Sequence, residues 1–413
     1  MIELEWEIDG PEDFELGTPR SSPLKYEVSW PDHGEAPGLV FVIPGFGGDT
    51  DPDYARALRR HVVESTGMAA VNVSYHCIQA RPANGGRVRI DAREHMYLIG
   101  LAAFHKVPVA NYQDIGDLTE QLASLPTPPT AKAAIDPGRG EYQNFGILQA
   151  LDHLAVLGDL IENAPPFNTR QVIALGSSHG GYIAHLMAKI APDALAAIID
   201  NSSYTQPPMN YLGLSELSEF DLLYGGALLQ CQVKPGWSTS HRMNRNFYGR
   251  DQDLIRDTGF LPHLQRTHDL AGDDGTQFFM VNAAVDSISA PACKRRQQAA
   301  LTRAGFEAHL AIIDQDQIDG RLFKTMTHGL DCSLKALFDR YIGQVVPRRA
   351  APDGVGSTVT TYDCVDRGYR FIRSATAPYM RGEIYELHET HAEGSLDVDH
   401  QGPSAVASAG NPT

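Results

Sequence analysis

The strongest constraint on the fold is a glycine-flanked serine at the end of an apolar run, within residues 172–184. Gly176 and Gly180 stand on either side of Ser178 in a Gly-x-Ser-x-Gly pattern, and helix-compatible residues follow directly. This order predicts a strand, a sharp turn and a helix, with a nucleophilic hydroxyl at the turn. The glycines avoid side-chain clashes where the strand and the helix come close. Ser177 does not fit the central position, because its own flanking positions are not glycine.

The pattern alone is also compatible with a purely structural turn, so its interpretation depends on the rest of the chain. From residue 38 to residue 342, apolar runs typical of buried strands alternate with helix-compatible segments. This alternation predicts an α/β protein with a mostly parallel, doubly wound sheet and helices on both faces. In such sheets the functional site lies at the carboxyl ends of the strands, where the remaining catalytic residues are therefore expected.

Two segments interrupt the alternation and divide the predicted domain of residues 1–348. Residues 76–140 are irregular with two helical stretches, and residues 201–270 contain few strand signals and several Pro- and Gly-containing loops. We interpret both as insertions and the second as a lid over the serine. Residues 349–392 are expected to form an appended β-rich segment. Residues 393–413 are rich in Ser, Gly, Ala, Pro and Asp, which predicts a disordered tail.

An activated serine needs a histidine base and an acid that orients it, in the chain order serine, acid, histidine for this type of sheet. The predicted strand 276–282 leads into Asp286, which makes Asp286 the first candidate for the acid. The residues after it can also open a helix, so an N-cap role for Asp286 stays open. Asp200, at the end of the preceding strand, is the alternative acid, and Asp314 and Asp316 are weaker candidates.

His328 is the candidate base, because it lies after the last predicted strand and directly before the closing helix at residues 329–342. A histidine in that loop can reach back across the strand ends to Ser178. Its neutral imidazole would take the serine proton, and Asp286 would fix its tautomer. A surface loop histidine without a catalytic role is the alternative interpretation.

The loop Pro-Gly-Phe-Gly-Gly at residues 44–48 follows the first buried strand and is the predicted source of an oxyanion-binding N–H group. The N–H of Phe46 is the first choice and that of Gly47 the second. The other donor is expected to be the N–H of His179, the residue after the nucleophile. The loop lacks the lysine of a nucleotide-binding P-loop and the spacing of a dinucleotide-binding motif, so phosphate binding is not expected.

Composition excludes several function classes and predicts a cytoplasmic protein without a cofactor. The formal net charge of −17 argues against nucleic acid or an anionic membrane surface as a partner. No apolar run approaches the ~18 residues of a membrane span, and the acidic N-terminus lacks the features of a signal peptide. The five cysteines are far apart without a CxxC pair, and His388 and His391 lack HExxH spacing, so no disulfide framework or metal site is expected.

Over about residues 24–342 the chain resembles the α/β-hydrolase superfamily. The features that carry the resemblance are the Pro-Gly-Phe-Gly-Gly loop, the Gly-Ser-Ser-His-Gly-Gly turn around Ser178, Asp286 before Ser-Ile-Ser-Ala-Pro, and His328 before glycine. The Ser-His-Gly-Gly-Tyr stretch is similar to the same turn in prolyl-oligopeptidase-like serine hydrolases. The chain also looks like an uncharacterised bacterial hydrolase-like family that shares the Pro-Gly-Phe-Gly-Gly and Val-Asn-Val-Ser-Tyr-His-Cys stretches.

Together, the residues and the resemblance predict a serine hydrolase that acts on an ester, thioester or amide of a small-molecule acyl compound. An acyltransferase with the same triad and a peptidase of the prolyl-oligopeptidase type remain open as alternatives. A non-catalytic binding protein that keeps the fold is a further alternative. Neither the acyl group nor the oligomeric state follows from the sequence.

Overall fold

The computed structural model describes residues 1–32, 34–46, 52–350, 358–377 and 379–387. The described residues form strands that are, in chain order, β1 (Ile2–Ile8), β2 (Leu24–Trp30), β3 (Leu39–Ile43), β4 (Ala69–Val73), β5 (Arg87–Arg89), β6 (Thr130–Asp136), β7 (Val172–Ser177), β8 (Ala197–Asn201), β9 (Phe220–Tyr224), β10 (Ala227–Val233), β11 (Gln277–Ala283), β12 (Ala308–Ile313), β13 (Thr358–Asp363), β14 (Arg367–Arg373) and β15 (Met380–Glu386). Their α-helices are α1 (Pro52–Thr66), α2 (Ala92–Phe104), α3 (Ile115–Leu122), α4 (Ile147–Asn163), α5 (His179–Ile190), α6 (Arg250–Arg256), α7 (Leu261–Ala271), α8 (Pro291–Ala304) and α9 (Leu334–Ile342).

The largest sheet has eight strands in the order β1-β2-β4-β3-β7-β8-β11-β12. Strand β2 is antiparallel to both β1 and β4, and every other neighbouring pair is parallel. The predicted mostly parallel sheet is therefore confirmed. Because β3, β7, β8 and β11 are adjacent and parallel, the loops that follow them meet at one edge of the sheet.

The central strands β3, β8 and β11 are buried on both faces, which explains their continuous apolar sequences. In β3, Leu39, Phe41 and Ile43 face one core, which contains α4 and α5. Val40 and Val42 face the other core, which contains α1 and α9. Successive side chains of a strand point to opposite faces, so one apolar run supplies both cores. The doubly wound architecture predicted from the sequence is confirmed.

The two predicted insertions contribute to a single second sheet, which we call the insertion sheet. Its four strands have the order β5-β6-β10-β9, with β5 and β6 from the first insertion and β9 and β10 from the second. Strand β10 lies parallel to β6, and α2 and α3 cover one face with Leu98 and Leu118. Strands β9 and β10 lie at residues 220–233, within the segment in which the sequence shows few strand signals. The inward residues of β10 are Ala227, Leu229, Cys231 and Val233, and they alternate with less buried neighbours.

Strands β13 to β15 form an antiparallel three-stranded sheet. The sheet packs on the main body, where Tyr379 lies against Gly158 of α4. Arg373 forms a two-pronged ion pair with Asp193, at 2.8 and 2.6 Å. The predicted tail at 393–413 lies outside the described residues.

Two further observations concern the described part of the chain. The five cysteines all lie within it and are free thiols. Among its helices, none combines the length and the apolar character that a membrane crossing requires.

A direct test of the fold is the close approach of α5 to β3. A Cβ atom at Gly180 would lie 2.0 Å from the carbonyl oxygen of Ile43 and 2.6 Å from that of Pro44. Neither backbone group can move without disturbing the sheet, so we expect Gly180→Ala to lower the free energy of unfolding by about 3 kcal/mol. Urea denaturation followed by circular dichroism measures this change.

The matched control is Gly100→Ala in α2, where a Cβ atom would meet no heavy atom within 4 Å. Alanine is the better helix former, so this variant should gain roughly 0.5–1 kcal/mol. Equal stability of the two variants would contradict the close packing at Gly180.

Candidate active site

Ser178 lies in a strained turn between β7 and α5. Its backbone angles are φ 53° and ψ −115°, in the left-handed region that L-residues with side chains rarely adopt. Its N–H donates to the carbonyl oxygen of Asn201 at 2.7 Å, which holds the turn against β8. A Cβ atom at Gly176 would lie 2.4 Å from the backbone of Gly180, so strand and helix come as close as the flanking glycines predicted. Such strain persists only where the surroundings enforce it.

The structure brings Ser178, His328 and Asp286 into one hydrogen-bonded chain. The hydroxyl Oγ of Ser178 lies 2.7 Å from Nε2 of His328, and Nδ1 of His328 lies 2.8 Å from Oδ2 of Asp286. With Nδ1–H donating to the carboxylate, Nε2 of a neutral imidazole is the acceptor for the serine hydroxyl. Ser178 is 9% exposed and the His328 side chain 18%, whereas the Asp286 side chain is fully buried. Ser178 is thus largely buried, the His328 ring is partly exposed, and the Asp286 carboxylate is shielded from solvent.

The carboxylate of Asp286 is held by its own loop as well as by the histidine. Its Oδ1 accepts hydrogen bonds from the N–H groups of Ile288, at 2.9 Å, and Ser289, at 2.8 Å. The N-cap residue of α8 is Ala290, so Asp286 organises the loop before the helix and does not cap it. This arrangement leaves Oδ2 directed at His328.

Asn201 at the end of β8 joins the serine turn to the histidine loop. Its backbone carbonyl accepts from the Ser178 N–H, and its side-chain Nδ2 donates to the carbonyl oxygen of Gly329 at 2.9 Å and to Oγ of Ser177 at 3.1 Å. The His328 loop needs this anchor because Gly329 and Leu330 both have positive φ, at 78° and 59°. The sequence interpretation did not include Asn201, although its position at a strand end is the signal that located the other residues.

The alternative acids do not contact His328. Asp200 is fully buried, and its Oδ2 accepts from Nζ of Lys294 at 2.8 Å, Nε2 of His185 at 3.1 Å and Oγ of Ser203 at 2.6 Å. Burial by itself would raise the pKa of Asp200, but Lys294 and His185 outweigh it and hold the pKa well below its usual value. The weaker candidates, Asp314 and Asp316, lie on the surface after β12.

The predicted oxyanion loop lies directly beside the serine. A Cβ atom at Gly45 would be 3.2 Å from the carbonyl oxygen of Ser177 and 3.4 Å from Cβ of Ser178, so the backbone leading to Phe46 passes Ser178 at van der Waals distance. The ring of Phe46 lies edge-on to the ring of His179, with centroids 5.4 Å apart. The second choice for the donor, Gly47, lies outside the described residues.

His179 opens α5, so its N–H is among those at the helix N-terminus without an intrahelical acceptor. Its side chain is fully buried, with Nε2 2.7 Å from Oε1 of Gln149. Burial lowers the pKa of His179 to about 3, so the imidazole is neutral at physiological pH. The side chain therefore anchors the helix start and adds no charge beside the serine.

Two tyrosines that sequence reasoning missed complete the surroundings of Ser178. The hydroxyl of Tyr204 lies 2.9 Å from Oγ of Ser178, and its ring stacks on that of His328 with an interplanar angle of 8°. Tyr204 is also hydrogen-bonded to Tyr211, whose ring stacks on Phe46 at 5.6 Å between centroids. Burial raises the pKa of Tyr204 well above its usual value, so its hydroxyl remains a proton donor. The signal available was its position three residues after a buried strand.

The topology and the strained turn together define the class of protein. A mostly parallel sheet with one antiparallel end, helices on both faces and a serine in a left-handed turn between β7 and α5 form an α/β-hydrolase fold. Within the described residues, no group of three or more His, Cys, Asp or Glu side chains is placed to hold a metal ion.

Comparison with protein-family models places the chain in one family. Residues 4–376 match the family described as "Protein of unknown function (DUF2920)", and the chain belongs to it. A comparison with curated proteins found no match.

Solved structures with a similar backbone include peptidases and esterases. An acylaminoacyl peptidase from Pyrococcus horikoshii has 12% sequence identity and a TM-score of 0.43, with 82% of this chain and 40% of that chain covered. A carboxylesterase from Lactobacillus plantarum has 9% sequence identity and a TM-score of 0.39, with 76% of this chain and 84% of that chain covered. A Bacteroides ovatus protein assigned as a dipeptidyl aminopeptidase IV has 10% identity, a TM-score of 0.45 and coverages of 84% and 36%. The chain spans less than half the length of both peptidases, and similarity at this level assigns no activity.

The buried ion pair of Asp200 and Lys294 can be tested separately from the candidate triad, through its effect on stability. Lys294→Met would leave the Asp200 carboxylate buried without the cation that lies 2.8 Å from it. Removal of one partner of a buried ion pair typically costs about 3–5 kcal/mol, and we expect a loss of this size in chemical denaturation. The double variant Asp200→Asn/Lys294→Met should recover part of the loss, because no unpaired charge remains. An unchanged unfolding midpoint in Lys294→Met would contradict this account.

Proposed function

We propose that the protein is a serine hydrolase that cleaves a carboxylic ester, thioester or amide of a small acyl compound. The observation that carries the proposal is the hydrogen-bonded chain from Ser178 through His328 to Asp286, at a strained turn. A serine with a base at 2.7 Å and a base with an acid at 2.8 Å meet the geometric requirement for an activated nucleophile.

In the first half of the reaction, Oγ of Ser178 attacks the substrate carbonyl carbon while Nε2 of His328 takes the hydroxyl proton. The imidazolium that forms is stabilised by the buried carboxylate of Asp286 at Nδ1. The tetrahedral intermediate collapses when His328 gives its proton to the leaving alcohol, thiol or amine. The acyl group then remains on Ser178 as an ester.

In the second half, His328 takes a proton from a water molecule, whose oxygen attacks the acyl-enzyme carbonyl. Collapse of the second intermediate returns the proton to Oγ of Ser178 and releases the carboxylic acid. Both intermediates carry an oxyanion, for which we assign the N–H groups of Phe46 and His179 as donors. The support for this assignment is the passage of the Gly45 backbone beside Ser178 and the position of His179 at the start of α5.

The proposal is tested by fluorophosphonate labelling and by hydrolysis of 4-nitrophenyl acetate. We expect labelling of the wild-type protein and its loss in Ser178→Ala and His328→Ala. Asp286→Asn keeps the shape of the acid but presents the wrong tautomer to the base, so its kcat should fall by about 10⁴-fold. Ser177→Ala is the matched control and should still be labelled. Labelling that survives Ser178→Ala, or unchanged turnover in that variant, would refute the proposal.

Tyr204 is the third donor that we assign to the oxyanion. Its hydroxyl is 2.9 Å from the attacking oxygen and its ring is held by the stack on His328. Removal of one oxyanion donor typically lowers kcat by about 10²–10³-fold, and we expect Tyr204→Phe to show a loss near the lower end with little change in KM. Tyr211→Phe, which removes only the partner of Tyr204, should lose less. Equal kcat values for wild type and Tyr204→Phe would contradict the assignment.

A further inference from the structure

An arginine of the insertion segments lies over the oxyanion loop. The guanidinium carbon of Arg81 is 4.6 Å from the ring centroid of Phe46 and 4.1 Å from that of Phe220. Arg81 comes from the first insertion and Phe220 from β9 of the second, so the two insertions meet at this point. Stacking between two aromatic faces fixes the orientation of a guanidinium. The free-energy cost of removing water from this group is low, because it is weakly hydrated.

Glu219 is the ionic partner of Arg81, with Oε1 2.5 Å from Nη1. The Glu219 side chain is fully buried, whereas the Arg81 side chain is 17% exposed. Nη1 of Arg81 is buried together with the carboxylate, and within this pair only the arginine side chain keeps exposed surface. Burial raises the pKa of Glu219 to about 7, so near neutral pH its charge only partly offsets that of Arg81.

Two chains of contacts connect Arg81 to the nucleophile. The first runs through Phe46 and the Gly45 backbone, which passes Ser178 at van der Waals distance. The second runs from the Phe46 ring to Tyr211, which stacks on it, and from there through Tyr204 to Oγ of Ser178. The Arg81 guanidinium thus contacts the side chain of Phe46, the residue whose N–H we assign to the oxyanion.

We infer that Arg81 is a specificity residue that binds an anionic group of the substrate, so that the protein prefers acyl compounds carrying a carboxylate besides the bond to be cleaved. The inference rests on the proposed function. Glu219 acts as a positioning residue, because it holds one edge of the guanidinium and leaves the other for the carboxylate. A planar guanidinium suits this task, since it can form paired hydrogen bonds to a carboxylate.

The test compares two isosteric substrates that differ in one charge. One is the mono-4-nitrophenyl ester of adipic acid, and the other is the 4-nitrophenyl ester of adipic monoamide. We expect the wild type to prefer the acid by about tenfold or more in kcat/KM, because a hydrogen bond to a charged group contributes more than one to a neutral group. An ester with the carboxylate on the leaving group, 4-carboxyphenyl butyrate against 4-carbamoylphenyl butyrate, distinguishes the acyl side from the leaving-group side. Absence of a preference in both pairs would overturn the inference.

Variants identify the residue responsible. Arg81→Gln should remove the preference, and Arg81→Gln/Glu219→Gln should do the same without leaving a buried carboxylate unpaired. The control Arg87→Gln makes the same charge change at an exposed position of β5 and should keep the preference. A preference that survives in both Arg81 variants would overturn the inference.

The inference can fail separately from the proposed function. Binding of monomethyl adipate, which has one free carboxylate, and of its neutral amide counterpart, methyl adipamate, to Ser178→Ala is measured by calorimetry, which requires no turnover. Tighter binding of the acid that is lost in Ser178→Ala/Arg81→Gln supports the anionic subsite even if no ester is hydrolysed. Equal binding of the acid and the amide overturns it even if ester hydrolysis is established.

Discussion

The candidate site depends on one close approach, between the start of α5 and the end of β3. Gly180 lies so near the carbonyl oxygen of Ile43 that a side chain there would overlap it. The same approach places the loop after β3 beside Ser178, because β3 and β7 are neighbouring parallel strands. One missing Cβ atom therefore permits both the strained turn at Ser178 and the contact with the loop to which we assign an oxyanion donor.

The candidate site also requires that the loops after neighbouring strands hold their positions relative to one another. Hydrogen bonds from residues at and just after the end of β8 provide this restraint. Asn201 binds the Ser178 N–H with its backbone and the Gly329 carbonyl with its side chain. Tyr204, three residues later, contacts both Ser178 and the His328 ring. Parallel neighbouring strands end at the same edge, so a few residues of β8 can bridge the serine turn and the histidine loop.

Sequence reasoning succeeded where the signal is local. The turn around Ser178, the buried strands and the strand-end positions of Asp286 and His328 are all readable from short segments, because spacing and apolar periodicity reflect backbone geometry directly. It favoured Asp286 over Asp200 by chain order alone, since both follow buried strands and only three-dimensional contact separates them. It also missed the insertion sheet, whose central parallel pair joins residues 130–135 to residues 228–233.

The fold separates the groups that we assign to chemistry from those that we assign to selectivity. Ser178, Asp286 and His328 follow strands of the main sheet, whereas Arg81 and Glu219 belong to segments that continue into the insertion sheet. The main-sheet loops are held by hydrogen bonds of Asn201 and Asp286, none of which involves Arg81. Arg81, by contrast, is positioned by one carboxylate and two aromatic rings. A change of side chain at that position would alter the charge facing the substrate while the serine, its base and its acid keep their hydrogen bonds.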